Sequence, residues 1–471
     1  MPLPHRPRQS AYRPPVGADA TLVWPARPSA QAARTLAMLQ QLDQSQWWPA
    51  EALQVEQLRQ AEALLGFARR QVPFYRERLD RAGFVLGRAL TPEIWARIPL
   101  LTRAALQEAG PKLYASEMPE GHGETFELTT SGSTGRPIKA RSSAVVQVVW
   151  DVLTLREHLW HDRDFAAKLA AIRSVPNGRA DYPAGARSPH WSRSIKEIFG
   201  DGPAVGLHIG TKIEDQAEWL QREQPDYLLT YPSALRELLV FCRERRLRLP
   251  GLRQVRTVSE LLDPETRRLC REVWNLEIAD VYSTQESGYL AFQCPEAGSY
   301  HVQSEAVILE VLDDNGAPCA PGQVGQVVVT SLHNFAMPML RYAVGDLAEV
   351  GEACPCGRGL PVLKRVLGRT RDVLVYPDGR KAWALLGTSQ YTRIPGIRQF
   401  QVVQHAVDDI EIKVVADRIL TPAEEADLCR WMQERCGHTF PTRVTYHDRI
   451  PRSAGGKFHD FRCDIPDAAR V

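Results

Sequence analysis

The segment Thr129–Lys139, which reads TTSGSTGRPIK, concentrates side chains suited to binding phosphate. Its consecutive hydroxyls and two glycines predict a loop that presents backbone N–H groups and hydroxyl donors to phosphate oxygens. The spacing matches neither a Walker loop nor a dinucleotide-binding fingerprint. The alternative is a solvated loop rich in serine and glycine. The candidate phosphate-binding residues are Thr130, Ser131, Gly132, Ser133, Thr134 and Gly135.

Four further segments follow this loop and contain aromatic, acidic or basic side chains. Each has an ordinary structural alternative. Tyr282 can be a core aromatic, Asp346 a turn residue and Lys457 a solvated lysine in a glycine-rich turn. The order of the segments along the chain is therefore more informative than any one of them. The segments are Tyr282–Glu286, Arg341–Asp346, Gly368–Asp372 and Pro451–Lys457.

Three cysteines and a histidine form a candidate metal site. Cys294 precedes His301 by seven positions, and Cys354 and Cys356 flank a proline in a tight turn. Three thiols and an imidazole suit tetrahedral Zn²⁺, and the role is expected to be structural because the protein fills all four positions. The alternative is a set of unliganded, partly buried cysteines.

The elements that must position these residues alternate in type. Between Thr102 and Val350, short apolar runs such as AVILEVL and GQVVVTSL alternate with helix-like segments such as DQAEWLQREQ. That alternation predicts α/β layering. His158 and His161 have no acidic partner at metalloprotease spacing and are predicted to lie on the surface of a helix.

The pattern changes after Asp372. FQVVQHAVDDIEIKVVAD predicts two strands around a turn at Asp408 and Asp409. Thr421 opens a capping box with proline at the first helical position, and TRVTYHD predicts another strand. We therefore expect an α/β fold in which a large multi-layer N-terminal domain is followed by a small α+β C-terminal domain, hinged near residue 371. The predicted divisions are a Pro/Arg-rich tail at 1–30, the large domain at 31–370 and the small domain at 371–471.

Composition excludes several classes of protein. The chain of 471 residues is 44% hydrophobic, which is too apolar for a disordered chain, and its net charge of +2 gives no basic field for nucleic acid or an anionic membrane. No apolar run is long enough to span a bilayer. Nine scattered cysteines and the absence of a secretory signal pattern favour a reduced, cytoplasmic protein. The oligomeric state stays open, a homodimer included.

Taken together, the five segments resemble the motifs of the adenylate-forming ligase superfamily, and within it the phenylacetate–CoA ligase-like branch. Features of that branch are found in VPFYRERLDRAG (72–83), LHNFAMPMLRYAVGD (332–346) and CPCGRGLP (354–361). The resemblance implies that the large domain is an adenylation domain that binds ATP and the acyl group. It also implies that the small domain is a lid that carries a catalytic lysine and rotates about a hinge at Arg371.

The resemblance further implies a reaction in which a carboxylate attacks the α-phosphorus of ATP to give an acyl-adenylate and pyrophosphate. Such chemistry depends mainly on positioning and charge stabilisation. Lys457 is expected to neutralise the carboxylate and α-phosphate oxygens, and Glu286 to hold Mg²⁺ through its oxygens. The other expected contacts are Tyr282 with adenine, Asp346 with the ribose hydroxyls, Arg369 with phosphate, and Thr130, Ser131, Ser133 and Thr134 with the β- and γ-phosphates.

The segment TVSELLDPE (257–265) is similar to the family segment that closes one side of the adenine and acyl pocket. Ser259 and Glu260 are therefore expected to be pocket residues, and Tyr231–Ser233 to line the acyl side. For each of these, ordinary packing or a helix cap is the alternative.

Two departures from the family pattern stand out: one is next to Tyr282, the residue expected to stack on adenine, and the other is in the loop that serves the second half of the reaction. Ser283 stands where the family has glycine, and Leu374–Trp383 is bulkier and more basic than the family's pantetheine-contacting loop. Arg380 and Lys381 suit the phosphates of coenzyme A or an acidic carrier protein. The expected activity is transfer of a small aromatic acyl group to the thiol of coenzyme A. Alternatives are amide formation with an amine, loading of a carrier protein, and a non-catalytic nucleotide-binding protein of the same fold.

Overall fold

The structure, a computed structural model, describes residues 17–18, 21–22, 24–129, 138–200, 202–369, 373–383, 394–453 and 455–465. The described helices are α1 (Ala30–Ser45), α2 (Ala50–Gln71), α3 (Arg76–Arg81), α4 (Pro92–Arg97), α5 (Arg103–Ala109), α6 (Ala144–Trp160), α7 (Arg193–Lys196), α8 (Ile213–Glu223), α9 (Pro232–Arg245), α10 (Pro264–Trp274) and α11 (Pro422–Cys436).

The described strands are β1 (Thr125–Thr129), β2 (Lys139–Ser143), β3 (Leu169–Arg173), β4 (Ala186–Ser188), β5 (Ala204–His208), β6 (Tyr227–Thr230), β7 (Gln254–Val258), β8 (Ile278–Thr284), β9 (Gly288–Gln293), β10 (Tyr300–Val302), β11 (Val307–Leu312), β12 (Val324–Ser331), β13 (Tyr342–Val350), β14 (Val362–Arg369), β15 (Val373–Val375), β16 (Lys381–Trp383), β17 (Ile397–Ala406), β18 (Asp409–Ala416), β19 (Thr442–Tyr446) and β20 (Phe461–Cys463).

The chain divides into two compact units, each built from more than one segment. The first unit comprises Met1–Ala167, Pro189–Pro203 and Val281–Val366. The second comprises Lys168–Ser188, Ala204–Asp280 and Leu367–Val471. The second unit thus contains the C-terminal segment together with the chain around α8, α9 and α10.

The first unit is built on an antiparallel sheet with the strand order β11-β12-β13-β14-β10-β9, to which the Val281–Thr284 part of β8 is added. The predicted strands in AVILEVL and GQVVVTSL are confirmed as β11 and β12, which pair with Val307 opposite Ser331. Helices α2 to α5 bury an apolar core that includes Leu64, Leu65 and Tyr75. Tyr75 donates its hydroxyl to the Pro338 carbonyl, so this core supports the loop that leads into β13.

The second unit contains a parallel sheet with the order β7-β6-β3-β5, extended by the antiparallel β4. Helix α9 is the crossover between the parallel neighbours β6 and β7, and α8 connects β5 to β6 on either side of β3. All four residues of β6 are buried, as expected for a central parallel strand. The predicted helix in DQAEWLQREQ is confirmed as α8.

The C-terminal segment forms its own sheet, with the order β19-β18-β17-β20, covered by α11. The predicted hairpin is confirmed as β17 and β18, and Thr421 forms the predicted capping box with Glu424. Leu428 and Met432 are buried on the inner face of α11. These elements confirm the α/β fold class, a large N-terminal domain followed by a small α+β domain.

The prediction that His158 and His161 lie on a helix surface is wrong. Their side chains are 7% and 5% exposed. They surround Glu157, which forms two hydrogen bonds of 2.7 and 2.9 Å with the Arg163 guanidinium, and His158 Nδ1 lies 2.9 Å from the same guanidinium. Hydrophobic periodicity predicts that such polar side chains are exposed to solvent. A carboxylate and a guanidinium that bind each other can nevertheless be buried in the folded protein.

Among the described helices, none has the length and apolar character needed to cross a lipid bilayer.

Candidate active site and metal centre

In the first unit, the two residues predicted to contact the nucleoside are joined directly. Tyr282 in β8 donates its hydroxyl to Oδ2 of Asp346 in β13, at 2.8 Å. Both side chains are largely buried. The structure therefore brings together an aromatic ring and a carboxylate that are 64 residues apart in the chain.

Arg341, the first residue of the RYAVGD segment, is a structural anchor. Its backbone has a positive φ of 48°, which non-glycine residues rarely adopt. Its guanidinium binds both carboxylate oxygens of Glu310 at 3.0 and 2.9 Å, and Nη1 donates to the carbonyls of Ala96 and Ile98. These bonds fix the start of β13 and hence the position of Asp346.

The base of the predicted phosphate loop is a β-hairpin. Thr129 at the end of β1 pairs with Lys139 at the start of β2. Gln285 Nε2 donates to the Thr129 carbonyl at 3.1 Å, so the turn that carries Glu286 is attached to the base of this loop. The loop residues Thr130, Ser131, Gly132, Ser133, Thr134 and Gly135 lie outside the described residues. The same holds for Arg371 and for the side chain of Arg369.

In the second unit, Lys457 is the last residue of a tight turn that is closed by two hydrogen bonds between Ser453 and Lys457. Ser453 donates its N–H to the Lys457 carbonyl at 2.8 Å, and Ser453 Oγ accepts the Lys457 N–H at 3.1 Å. Gly456 has a φ of 78°, and a Cβ there would lie 2.9 Å from the Ser174 side chain and 3.0 Å from the Tyr231 ring. Only glycine lets the Lys457 turn approach these two residues so closely.

Tyr231 and Glu260 contact the C-terminal segment directly. Tyr231 donates its hydroxyl to the Gly455 carbonyl at 3.3 Å. Glu260 is buried and accepts two backbone N–H groups, those of Ser233 at 2.9 Å and of Phe458 at 2.6 Å. Ser259 has a φ of 75°, a strained conformation at a position predicted to lie in a pocket.

The candidate metal centre lies entirely in the first unit. The ligand atoms of Cys294, His301, Cys354 and Cys356 are all within 4.8 Å of one another. The Sγ atoms of Cys294 and Cys354 are 3.7 Å apart, and Cys356 Sγ is 3.3 Å from His301 Nε2. Two thiolates that both bind a tetrahedral Zn²⁺ at about 2.3 Å are separated by about 3.8 Å, whereas a disulfide needs about 2.05 Å. The spacing therefore fits a shared metal ion and not a disulfide.

The pKa shifts of three of the four groups bear on metal binding. Burial lowers the pKa of His301 to about 4, which keeps the imidazole neutral as a ligand must be. Burial raises the pKa of Cys354 to about 12. Burial opposes ionisation of Cys356 too, but hydrogen bonds from the Arg358 backbone and neighbouring side chains outweigh it and lower that pKa. A divalent cation would stabilise all the thiolates and remove the cost of burying them.

The cysteine turn is also attached to the end of α1. Gln46 Oε1 accepts from Trp160 Nε1 at 2.9 Å and from Arg358 Nε at 3.0 Å, while the Gln46 carbonyl accepts the Gly359 N–H at 2.9 Å. The Trp160 ring lies edge-on to His301, with ring centroids 5.7 Å apart. The candidate metal ligands and the end of α1 are thus parts of one packed cluster.

Sequence reasoning missed the charged partners of the Lys457 turn. Arg452 lies within the predicted Pro451–Lys457 segment, and its guanidinium reaches Glu237, 215 residues earlier in the chain. Arg452 could have been singled out by its position in that segment. Its partners on α9 could not, because they belong to no motif.

The chain is similar to several known proteins. The CapK C-terminal domain family matches residues 383–461. A phenylacetate-coenzyme A ligase of Thermus thermophilus is 26% identical over 465 residues, which cover 87% of this chain and 96% of that protein. A solved structure of 2-hydroxyisobutyryl-CoA ligase with R3-HIB-AMP superposes with a TM-score of 0.69 at 18% identity and covers 90% of this chain and 91% of the other.

A structure of the amide bond synthetase McbA from Marinactinospora thermotolerans superposes with a TM-score of 0.50 at 18% identity, over 74% of this chain and 69% of that one. The predicted resemblance and the predicted enzyme class are confirmed by the similarity to the phenylacetate-coenzyme A ligase, and the two solved structures share the fold.

Proposed function

Because this chain is a relative of the phenylacetate–CoA ligases within the adenylate-forming superfamily, we propose that it activates a small aromatic carboxylic acid with ATP and Mg²⁺. The products of this step are an acyl-adenylate and pyrophosphate. The acyl group then passes to the thiol of coenzyme A. The predicted alternatives, transfer to an amine or to a carrier protein, differ only in this second step.

One observation carries the proposal: the hydrogen bond between Tyr282 and Asp346, beside a turn attached to the base of the hydroxyl-rich loop. This arrangement supports a nucleotide site in which the Tyr282 ring faces adenine and the Asp346 carboxylate accepts the ribose hydroxyls. Glu286, on the attached turn, then follows a residue that contacts the base of the phosphate-binding loop. Its carboxylate suits Mg²⁺, which prefers oxygen ligands and would neutralise phosphate charge.

Lys457 supplies the mobile cation of the proposed reaction. Its ammonium group would approach the substrate carboxylate and the α-phosphate together and reduce their repulsion as the new bond forms. The turn that carries it packs on Ser174 and Tyr231, and Tyr231 is a residue predicted to line the acyl side. Ser259 and Glu260 stay predicted pocket residues. The loop residues and Arg369 stay predicted phosphate contacts.

The identity of the acceptor depends on the hairpin formed by β15 and β16. Arg380 lies 4.2 Å from the centre of the Tyr376 ring and 3.6 Å from Asp378, so its guanidinium is held on the hairpin turn. A held guanidinium on an exposed turn suits the phosphates of coenzyme A. An acidic carrier protein would satisfy the same contact.

We also propose that Cys294, His301, Cys354 and Cys356 hold a structural Zn²⁺. The ion would supply no step of the reaction, since four protein ligands leave no position for a substrate. Its role would be to join the strands β9, β10 and β14 to the loop that precedes β14.

The test of the proposed function is acid-dependent release of pyrophosphate. Purified protein, ATP and Mg²⁺ are mixed with a panel of aromatic and aliphatic acids, each with coenzyme A, with hydroxylamine, or with neither. We expect release with aromatic acids, and multiple turnovers only when an acceptor is present. Lys457→Ala should suppress release strongly while ATP binding, measured by calorimetry, stays nearly intact. No release with any acid, or an unchanged rate in the Lys457→Ala variant, would contradict the proposal.

A further inference from the structure

The first two turns of α9 carry an arginine whose partner lies next to the Lys457 turn. The Arg236 side chain is 3% exposed, and its guanidinium contacts both carboxylate oxygens of Asp460, with Nη1 and Oδ2 2.9 Å apart. Asp460 follows Lys457 by three residues and leads into β20. A guanidinium this buried is costly without an anion, so the contact ties α9 to the chain that carries Lys457.

A second ion pair joins the same two segments with its charges reversed. Here the arginine, Arg452, belongs to the C-terminal segment and the carboxylate, Glu237, belongs to α9. Arg452 Nη2 lies 2.8 Å from Glu237 Oε1, and Arg452 Nη1 donates to Ser233 Oγ at 2.7 Å. The two side chains are 8% and 15% exposed. Two neighbouring pairs of opposite polarity define one register, because a shifted contact would bring like charges together.

Glu260 completes the arrangement without belonging to either segment. Its two oxygens accept the N–H groups of Ser233, in the first turn of α9, and of Phe458, which follows Lys457. The first turn of a helix has N–H groups with no partner inside the helix, and a carboxylate there is further stabilised by the helix dipole. One buried carboxylate thus joins the start of α9 to the backbone beside Lys457.

We propose that Arg236, Glu237, Glu260, Arg452 and Asp460 form a charged clasp that positions the Lys457 turn for adenylation and opens before the acyl group is transferred. These are positioning residues, since they act on the reaction through the placement of Lys457. The inference rests on the proposed function, because it assigns the docked turn to the first of two half-reactions. Opening must hydrate the buried groups together, so the clasp favours two discrete states, docked and released, over a gradual displacement.

The test separates the two half-reactions. In the Asp460→Asn and Glu237→Gln variants, acid-dependent exchange of pyrophosphate into ATP is expected to fall roughly tenfold, as for a typical coupling free energy between sites. Formation of thioester from chemically prepared acyl-adenylate and coenzyme A should not fall. The matched control is Asp464→Asn, which removes a carboxylate four residues from Asp460 that pairs with Arg462 and not with α9. A merely structural defect would slow both half-reactions alike.

A second readout does not depend on activity. Amide hydrogen exchange in the full-length protein should become faster in peptides that contain Ser233 and Phe458 in the two clasp variants, and not in Asp464→Asn. The charge-swapped double variant, Arg236→Asp with Asp460→Arg, should show slower amide hydrogen exchange in these peptides than either single variant.

Each contrary outcome has a distinct meaning. Unchanged amide exchange in both clasp variants would overturn the clasp while leaving the proposed function in place. Faster amide exchange with undiminished pyrophosphate exchange would overturn the positioning role. A wild-type protein in which the peptides containing Ser233 and Phe458 exchange slowly, but which activates no acid, would overturn the proposed function. It would also overturn any role of the clasp in adenylation.

Discussion

The Tyr282 hydroxyl donates a hydrogen bond to Asp346, and these two residues are predicted to contact different parts of the same nucleotide. The ring and the carboxylate of Asp346 come from strands that are not neighbours in the sheet, and the 2.8 Å bond holds the carboxylate in one orientation. Each carboxylate oxygen can accept more than one hydrogen bond, so a carboxylate held in this orientation can still accept from a ribose. The phenol of Tyr282 therefore has a second role beside the aromatic face.

The Tyr282→Phe variant tests that second role. The change keeps the ring and removes the hydroxyl. We expect the KM for ATP to rise roughly tenfold with a smaller change in kcat, because a hydrogen bond to a charged group contributes about 1.5–3 kcal/mol. Steady-state kinetics at saturating acid and acceptor measures this effect.

The matched control is Tyr289→Phe, which removes a hydroxyl that lies 3.2 Å from Thr154 Oγ1 in the same unit. That change should cost about 1 kcal/mol of stability and leave the KM for ATP unaltered. Equal increases in KM for the two variants would argue against a specific role for the Tyr282 hydroxyl.

At the scale of elements, the cysteine and histidine cluster joins segments that have little secondary structure of their own. The loop at 351–361 contains no helix or strand, and β10 has three residues. Such segments bury little apolar surface, and a bound metal ion would compensate because its binding free energy becomes folding free energy. The attachment of this loop to Gln46 extends the effect to the end of α1.

Metal removal should therefore loosen a defined part of the chain. The purified protein is expected to contain one zinc per chain, measured by elemental analysis. Chelation, or Cys356→Ser, should lower Tm by several degrees and open the chain near Gln46–Trp48 to proteases. The matched control is Cys319→Ser, since that thiol lies outside the cluster. A metal-free protein that is insensitive to chelators would refute the zinc proposal.

At the scale of the whole molecule, the buried His333 imidazole contributes to the pH dependence of stability. Burial lowers the pKa of His333 to about 4, with a smaller contribution from His122. The unfolded chain has the ordinary value of about 6.5. Between these two values the unfolded state binds a proton that the folded state does not. The stability from a neutral His333 is therefore present above about pH 6.5 and declines as the pH falls toward 4.

The His333→Gln variant should lose less stability on acidification than the wild type. Between pH 7 and pH 5 we expect the difference in the free energy of unfolding to be about 2 kcal/mol. Chemical denaturation at both pH values measures it. His447→Gln, at an exposed position, should behave as the wild type does. Parallel losses in wild type and His333→Gln would contradict this assignment.

Local features of the fold could be predicted because their causes are local. The capping box at Thr421 and the hairpin of β17 and β18 depend on residues that are neighbours in the chain or separated by one turn. The four candidate metal ligands could also be singled out, because three thiols and an imidazole suit tetrahedral Zn²⁺. The identities and order of Tyr282, Asp346 and Lys457 indicated the enzyme class in the same way.

The amino-acid sequence by itself determined the available chemistry: the residue types suited to phosphate, ribose, metal and carboxylate, and the elements that carry them. Only the tertiary structure decided which charges meet. Arg452 finds Glu237 across 215 residues, and Glu157 is buried with Arg163 where periodicity predicted a solvated face. The physical reason is that an ion pair depends on distance and burial in the folded chain. The sequence shows which side chains are charged, but not which of them are solvated and which are paired.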